Sequence, residues 1–524
     1  MRGHLAQACL RGLKRHPFRS ALADGLDGSI LSRGKLLGVA LALSRHLKKN
    51  CPEPRIGIVL PPGKGGAVAN LAVVLAGKIP VNLNFTTPRD SIESAKEQAG
   101  LTTIISARLL AKRLEDFPWT PKVIHLDEVL PAMKRSILTW WIMAVALPSG
   151  LLARLLKLPR IGDRAEALLL FTSGSSGKPK GVVLSHRNIL GNVSQFSVAL
   201  DATREDLLLA SLPLFHSFGC TVTLWYPLIE GVRIVTYPNP LEAGKIAKLV
   251  EQQAVTVMLA TPTFLRAYLR KAEPEQLRSL RLLITGAEKL PNELAEAFEA
   301  RFGTEVLQGY GLTETSPVVS ANLPELKPTR AGQSVQPSNR LGSTGKMLAG
   351  IAAEIRDADT GAKKSLHETG MLWLRGPNIF EGYLDLSEQT AEVLQDGWFK
   401  TGDIGRFDED GFLFIEGRLS RFSKIGGEMV PHETIERAVL AALTKEEQAE
   451  RIIAIMGVAD EAKGEALVLL SSIEVDLPAL RATLSGAGVP NLWIPKTVRR
   501  VDSIPVLASG KLDLAGCKKL AEQA

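Results

Sequence analysis

The stretch Leu168–His186, LLLFTSGSSGKPKGVVLSH, joins an apolar run to a hydroxyl- and glycine-rich turn carrying two lysines. Its spacing excludes two familiar chemistries. A Walker loop requires GxxxxGK followed by Ser or Thr, but Gly177-Lys178 is followed by Pro179, and Thr172 stands five residues before Gly177. A serine-hydrolase elbow requires Gly-x-Ser-x-Gly, and Gly174 and Gly177 are only three apart. What remains is a set of hydroxyls (Thr172, Ser173, Ser175, Ser176), two glycines that expose backbone N–H groups, and the cations Lys178 and Lys180. That combination suits an anion, and phosphate above all.

Outward from this loop, short apolar runs alternate with amphipathic helical patterns. RIGIVLP precedes AVANLAVVLAGK, VTVMLA precedes TPTFLRAYLRK, and LRLLITG precedes LPNELAEAFEARFG. The pattern predicts an α/β fold of doubly wound subdomains with parallel strands and crossover helices. Such sheets gather ligands at the carboxyl ends of strands. TSGSSG, TGAEKL and GYGLTE each follow an apolar run, which makes them candidates for one cleft. After about residue 350, AAEIRD, GMLWLRG and GFLFIEGR predict a β-rich module, and from Arg421 onward charged helices alternate with strands as in a small α+β domain. We therefore expect a separate small domain after the β-rich module.

The 524 residues carry a net charge of +8, unevenly spread. Residues 1–164 hold 25 Lys+Arg against 11 Asp+Glu, while the remainder is acidic on balance. With no RNA-binding aromatic signature or zinc-finger spacing, nucleic acid is not an expected partner. An anionic lipid surface or an acidic protein fits the basic segment, as does a plain solvated face. Four scattered cysteines and no signal peptide pattern point to a cytoplasmic protein. Ser136–Ala153, SILTWWIMAVALPSGLLA, has no charge and runs into leucines interleaved with Arg154, Lys157 and Arg160. Pro148, Ser149 and Gly150 interrupt it, which makes a bilayer span the least expected of three readings. Residues 136–160 read equally as a core helix with its loop or as a segment lying in a membrane interface on the inner face of the cytoplasmic membrane.

The chain resembles the adenylate-forming superfamily of acyl-CoA synthetases, adenylation domains and luciferases. The resemblance rests on FTSGSSGKPKGV, LFHSFG, LITGAEKLP, GYGLTET, TGD, GRLSRFSKIGGEMV and SGK, which occur in that order from Phe171 to Lys511. LAGKIPVNLNFT, RFSKIGGEMV and GKLD are most similar to the acyl-acyl-carrier-protein synthetases that form one half of bifunctional 2-acylglycerophosphoethanolamine acyltransferases. The acyltransferase half carries an HxxxxD pair, and no histidine of this chain has Asp five residues on.

The resemblance implies ATP and Mg²⁺ as cofactors and two half-reactions. A fatty acid carboxylate displaces pyrophosphate to give an acyl-adenylate, and a thiol then displaces AMP. The expected acceptor is acyl carrier protein, with coenzyme A as the alternative. A non-catalytic lipid-binding relative would be expected to lack Lys511 or Glu314, and both are present. Thr172–Lys180 (Thr172, Ser173, Gly174, Ser175, Ser176, Gly177, Lys178 and Lys180) would hold the β- and γ-phosphates. Glu314 would take the metal and Thr313 a phosphate oxygen. Tyr310 would stack on adenine, with Gly286, Ala287 and Glu288 lining the base and acyl pocket. Asp403 would hold the ribose hydroxyls, helped by Arg418. Lys511 would bridge carboxylate and α-phosphate. His216 would shape the acyl pocket, Ser420 would mark the hinge between a large domain of residues 1–419 and a small mobile domain of residues 420–524, and Lys424 with Gly426-Gly427 would line the thiol tunnel. Three positions depart from the pattern: Ser420 where Asp or Lys is common, Asp513 where Arg is common, and Met371 where Glu is common.

Overall fold

The computed structural model describes residues 2–173, 178–203, 205–325, 336–425, 428–443, 451–460, 464–506 and 512–523. Two large sheets, a β-rich module and a smaller C-terminal domain make an α/β fold. The first sheet has nine strands. At its centre Leu282–Thr285, Val257–Ala260 and Leu207–Ala210 run parallel and are wholly buried, as continuous apolar runs in a doubly covered sheet should be. Val306–Gly311 joins this sheet in parallel beside Leu282–Thr285, and Val318–Ala321 turns back antiparallel on it.

The second sheet has seven strands. Arg55–Ile58, Ile79–Asn82, Thr103–Ser106 and Lys122–His125 pair in parallel. Glu166–Ser173 then forms an antiparallel hairpin with Pro179–Ser185. The loop that opens the sequence reading therefore tips a hairpin and does not lead from a strand into a helix. Helices begin where the sequence provides caps. Thr261 accepts from Phe264 N–H with Pro262 in the first turn, and Ser185 and Asn188 form a reciprocal capping box ahead of His186–Leu200.

The module is an antiparallel sheet built on Ala352–Arg356, Gly370–Arg375, Trp398–Phe407 and Leu413–Arg418. Beyond it, Phe422–Ile425, Glu428–Pro431, Ile453–Asp460, Gly464–Ser471 and Thr497–Arg500 form a separate sheet with its own core, including Ile435, Val439, Leu467, Leu469 and Leu480. Phe422 packs on Met371, Trp373 and Ile404. The departure at Met371 thus lies in an apolar contact between module and small domain, where a glutamate would be desolvated. The departure at Asp513 is a helix cap: its carboxylate accepts from Gly516 N–H at 3.1 Å ahead of Leu514–Glu522. The four cysteines are free and buried.

Residues 136–160 form two helices, Lys134–Ala146 and Ser149–Leu155. No helix among the described residues is long and apolar enough to cross a membrane. The tryptophan pair does not face outward together. Trp140 packs against the core, and Trp141 lies on Gly38 so closely that an added Cβ there would come within 2.8 Å of it.

Candidate active site

The hairpin places Thr172 opposite Lys180 and Ser173 opposite Pro179. Gly174, Ser175, Ser176 and Gly177 lie outside the described residues. Lys178 is exposed, whereas Lys180 is half-buried with its ammonium 5.2 Å from the centre of the Tyr383 ring. Tyr383 sits on Gly382–Tyr383, a short strand paired with Val182 and Val183, and donates its hydroxyl to Glu314 Oε1 at 3.0 Å. Lys180, Tyr383 and Glu314 therefore bridge the two large sheets. Burial and the Glu314 charge push the Tyr383 phenol well above its ordinary range, so it stays a donor.

Glu314 follows Val306–Gly311 in a short turn of 3₁₀ helix. Its neighbour Thr313 shares a hydrogen bond with Ser217 at 3.3 Å, which ties GYGLTET to LFHSFG. Glu314, Tyr383, Leu312, Thr401 and Arg418 line a cleft of about 240 Å³.

Behind Arg418, Tyr310 donates its hydroxyl to Asp403, and Arg418 Nε forms an ion pair with the other Asp403 oxygen at 2.7 Å. Asp403 is 3% exposed. Burial pushes its carboxyl up, against the pull of Arg418 and the Tyr310 hydroxyl, and burial with the Asp403 charge pushes the Tyr310 phenol well up. The strand pairing that aligns Asp403 with Arg418 is direct, residue against residue. Gly402 beside it has φ +77°, a left-handed backbone that favours glycine and explains the middle residue of TGD. Each carboxylate oxygen of Asp403 retains acceptor capacity beyond these two bonds. The expected stacking residue is thus also a hydrogen-bond partner of the expected ribose ligand.

Gly286 closes the Leu282–Thr285 strand, and a Cβ there would sit 3.5 Å from the Gly309 carbonyl and 3.7 Å from the Phe218 ring. Ala287 has φ +69°. Glu288 is exposed, and its carboxylate accepts from Thr263 Oγ1 at 2.7 Å and Thr263 N at 3.2 Å. His216 is exposed with its ring centroid 4.8 Å from Phe215, just ahead of a turn of π-helix, Phe218–Trp225. π-Helical turns often occur at functional sites.

The small domain contributes less. Lys511, Gly426 and Gly427 lie outside the described residues. Ser420 is exposed in the short turn Leu419–Arg421 that links module and small domain. Lys424 pairs with Asp359, in the loop after Ala352–Arg356, instead of facing the cleft. Tyr383, Ser217 and Asp359 escaped the sequence reading, and the only signal for the first was an unassigned tyrosine in IFEGYLD.

This arrangement agrees with comparisons to known proteins. The AMP-binding enzyme family matches residues 10–384, and the chain belongs to it. It is 27% identical to a long-chain-fatty-acid–CoA ligase of Bacillus subtilis over 95% of this chain and 91% of that one. It is 29% identical to the ligase of the same name from Yersinia pestis, over 93% and 89%. Among solved structures, ATP-bound MatB from Rhodopseudomonas palustris superposes with a TM-score of 0.77 at 24% identity, over 99% of both chains. The chain is accordingly an ATP-dependent, AMP-forming acid–thiol ligase. Both of these relatives are named as coenzyme A ligases, whereas the sequence reading expected acyl carrier protein as the acceptor.

Proposed function

We propose that the protein activates a long-chain fatty acid as its acyl-adenylate and passes the acyl group to coenzyme A. The observation that carries this reading is the Tyr310–Asp403–Arg418 cluster, whose Arg418 lines one cleft with Glu314, in a chain that aligns almost end to end with long-chain-fatty-acid–CoA ligases. In the first step a carboxylate oxygen bonds to the α-phosphorus of ATP and the bond to the departing pyrophosphate breaks. In the second the thiolate sulfur bonds to the acyl carbon and AMP leaves with the bridging oxygen. Both steps are governed by charge and position, since two anions must meet in the first.

Asp403 holds the ribose hydroxyls with its remaining lone pairs, and Tyr310, oriented by Asp403, stacks on the base. Lys180 and Lys178 offset charge on the pyrophosphate. Lys511, brought in by the small domain, offsets the charge that develops between carboxylate and α-phosphate. Residues 1–419 serve as the platform, and residues 420–524 move on it about Ser420.

Magnesium fits this site in one form. Glu314 presents a single carboxylate, and no group of three or more His, Cys, Asp or Glu able to hold a metal occurs among the described residues. Mg²⁺ commonly binds through one or two carboxylates with substrate phosphates and water, so Glu314 would hold the ion only together with ATP. The ion's chemistry there is neutralisation of phosphate charge.

The test is an end-point assay with ATP, Mg²⁺ and palmitate, offering coenzyme A and holo-acyl carrier protein separately. Palmitoyl-CoA with stoichiometric AMP and pyrophosphate is expected. Transfer to acyl carrier protein alone overturns the acceptor, and AMP formation with small aromatic acids but not fatty acids overturns the substrate.

A further inference from the structure

The two helices Lys134–Ala146 and Ser149–Leu155, with the segment that follows them to Ile161, carry five of the fourteen large apolar side chains that are exposed among the described residues. These are Leu138, Ile142, Leu151, Leu155 and Ile161, each between 47 and 62% exposed. Leu138 and Ile142 are four residues apart, as are Leu151 and Leu155, so each pair shares a helical face. A concentration of this kind on a folded surface marks an interaction site.

One helix, Leu5–Lys14, ties the chain at the C-terminal ends of both. Only Gln7, Arg11 and Lys14 of helix Leu5–Lys14 escape burial, and their spacing puts them on one face. From that face Gln7 donates to the carbonyls of Leu158 and Pro159 at 3.3 and 2.8 Å. Lys14 donates to the carbonyls of Ala144 and Leu147, closing the C-terminus of Lys134–Ala146. One narrow polar face thus holds the chain at the C-terminal ends of both helices, where Ala144 and Leu152 are buried while Leu138, Ile142, Leu151 and Leu155 stay exposed.

The charge around the patch has one sign. Residues 129–162 contain no Asp or Glu, and Lys134, Arg135, Arg154, Lys157 and Arg160 are all exposed. None of the five has an acidic partner among the described residues. An apolar face rimmed by unpaired cations matches a helix lying at the boundary of headgroups and acyl chains in an anionic bilayer. A second copy of this chain would bring the same cations against each other.

We infer that residues 134–161 form a docking surface for an anionic phospholipid bilayer, with Leu138, Ile142, Leu151 and Leu155 as the inserted side chains and Arg154, Lys157 and Arg160 as headgroup contacts. Trp140 and Trp141 are supports, not anchors, because they pack inward. The inference stands apart from the identity of the acid or the thiol, and a failed ligase assay leaves it intact.

Flotation of the full chain tests it, with vesicles of phosphatidylcholine alone and with phosphatidylglycerol added. The wild-type protein is expected to float with the mixed vesicles. Leu138→Ser with Ile142→Ser lowers that partition at least about tenfold, because several buried methylenes are lost. Arg154→Gln, Lys157→Gln and Arg160→Gln together lower it by roughly a hundredfold at low salt, at about fivefold per charge, with little change on neutral vesicles. Exposed substitutions of this kind keep the melting temperature within about 2 °C of wild type, which separates loss of docking from loss of folding. The inference is overturned if wild type ignores anionic vesicles, or if both variants float as wild type does. It is also overturned if sedimentation shows a dimer that Leu138→Ser and Ile142→Ser dissolve while vesicle binding persists.

Discussion

The nucleotide cleft and the small domain's edge hold their charged groups in opposite ways. At the cleft, buried Asp403 accepts from Tyr310 and pairs with Arg418, Glu314 accepts from Tyr383, and Thr313 is tied to Ser217. At the edge, Lys424 and Asp359 meet with side chains 51 and 60% exposed. Groups that recognise a nucleotide gain from being set before it arrives, because ordering them then costs nothing. Groups that serve successive half-reactions must change partners, and an exposed pair worth little in water is easily exchanged. The proposed division into platform and moving part predicts this difference between fixed and exchangeable charge.

The sharpest way to break that division is Lys511→Ala. If the platform only binds, adenylate formation falls by about 10²–10³, while thiol transfer from a supplied acyl-adenylate continues. Separate measurement of pyrophosphate release and of thioester from synthetic adenylate checks both halves. Adenylation near wild type would remove Lys511 from the first step.

Acid probes platform and moving part together. His186 in the large domain is held down to about 3 by burial and then by His4, whose ring lies 3.8 Å away. His432 in the small domain is held down to about 3 by burial and then by Arg421. In both, the unfolded imidazole titrates near 6.5 and the folded one far lower, so the unfolded state binds more protons between those values. Stability is therefore full above about pH 6.5 and is lost as pH falls, by about 1.4 kcal/mol per unit for each histidine. Urea unfolding at pH 7 and 5.5, followed with probes in each domain, should show both transitions shifting to lower urea. A shift confined to one domain would show the other histidine to be open to protonation.

Tyr383→Phe tests the fixed side more gently. It removes one hydrogen bond to a carboxylate, worth about 1.5 kcal/mol or roughly tenfold in rate, and keeps the ring under Lys180. Since the hydroxyl positions Glu314, the expected change is a rise in the Mg²⁺ concentration for half-maximal adenylation, with kcat restored at saturating Mg²⁺. A purely structural role would lower kcat at every Mg²⁺ concentration.

The contrast also explains what could be read from sequence. GYGLTET and TGD could be picked out because each is a contiguous run, and strand-helix alternation gave the sheets that carry them. The partners that fix those motifs were not. Tyr383 is 69 residues beyond Glu314, Ser217 is 96 before Thr313, and Asp359 is 65 before Lys424. Nothing local to either member of such a pair records the other, because the contact exists only once sheet and module have packed. The apolar helix showed the same limit: its lack of charge marked residues 136–160 as unusual, but only packing such as the close approach of Gly38 to Trp141 decides which side chains turn outward.

Asp359→Ala carries the smallest expected effect and bears most directly on the moving part. Lys424 was expected near the thiol path, yet it rests on Asp359 in the loop after Ala352–Arg356. If that pair holds the small domain in this orientation, its loss changes the balance between two arrangements and not the chemistry in either. An exposed ion pair contributes up to about 1 kcal/mol, so the balance moves by fivefold at most. Stability stays near wild type, whereas the ratio of thioester formation to adenylate formation, measured on separate substrates, rises by up to that factor. Lys424→Ala loses the same latch but also any contact that Lys424 makes during transfer. The two variants should therefore diverge in the second half-reaction alone. Equal ratios in Asp359→Ala and wild type would make the pair a surface contact with no part in domain movement.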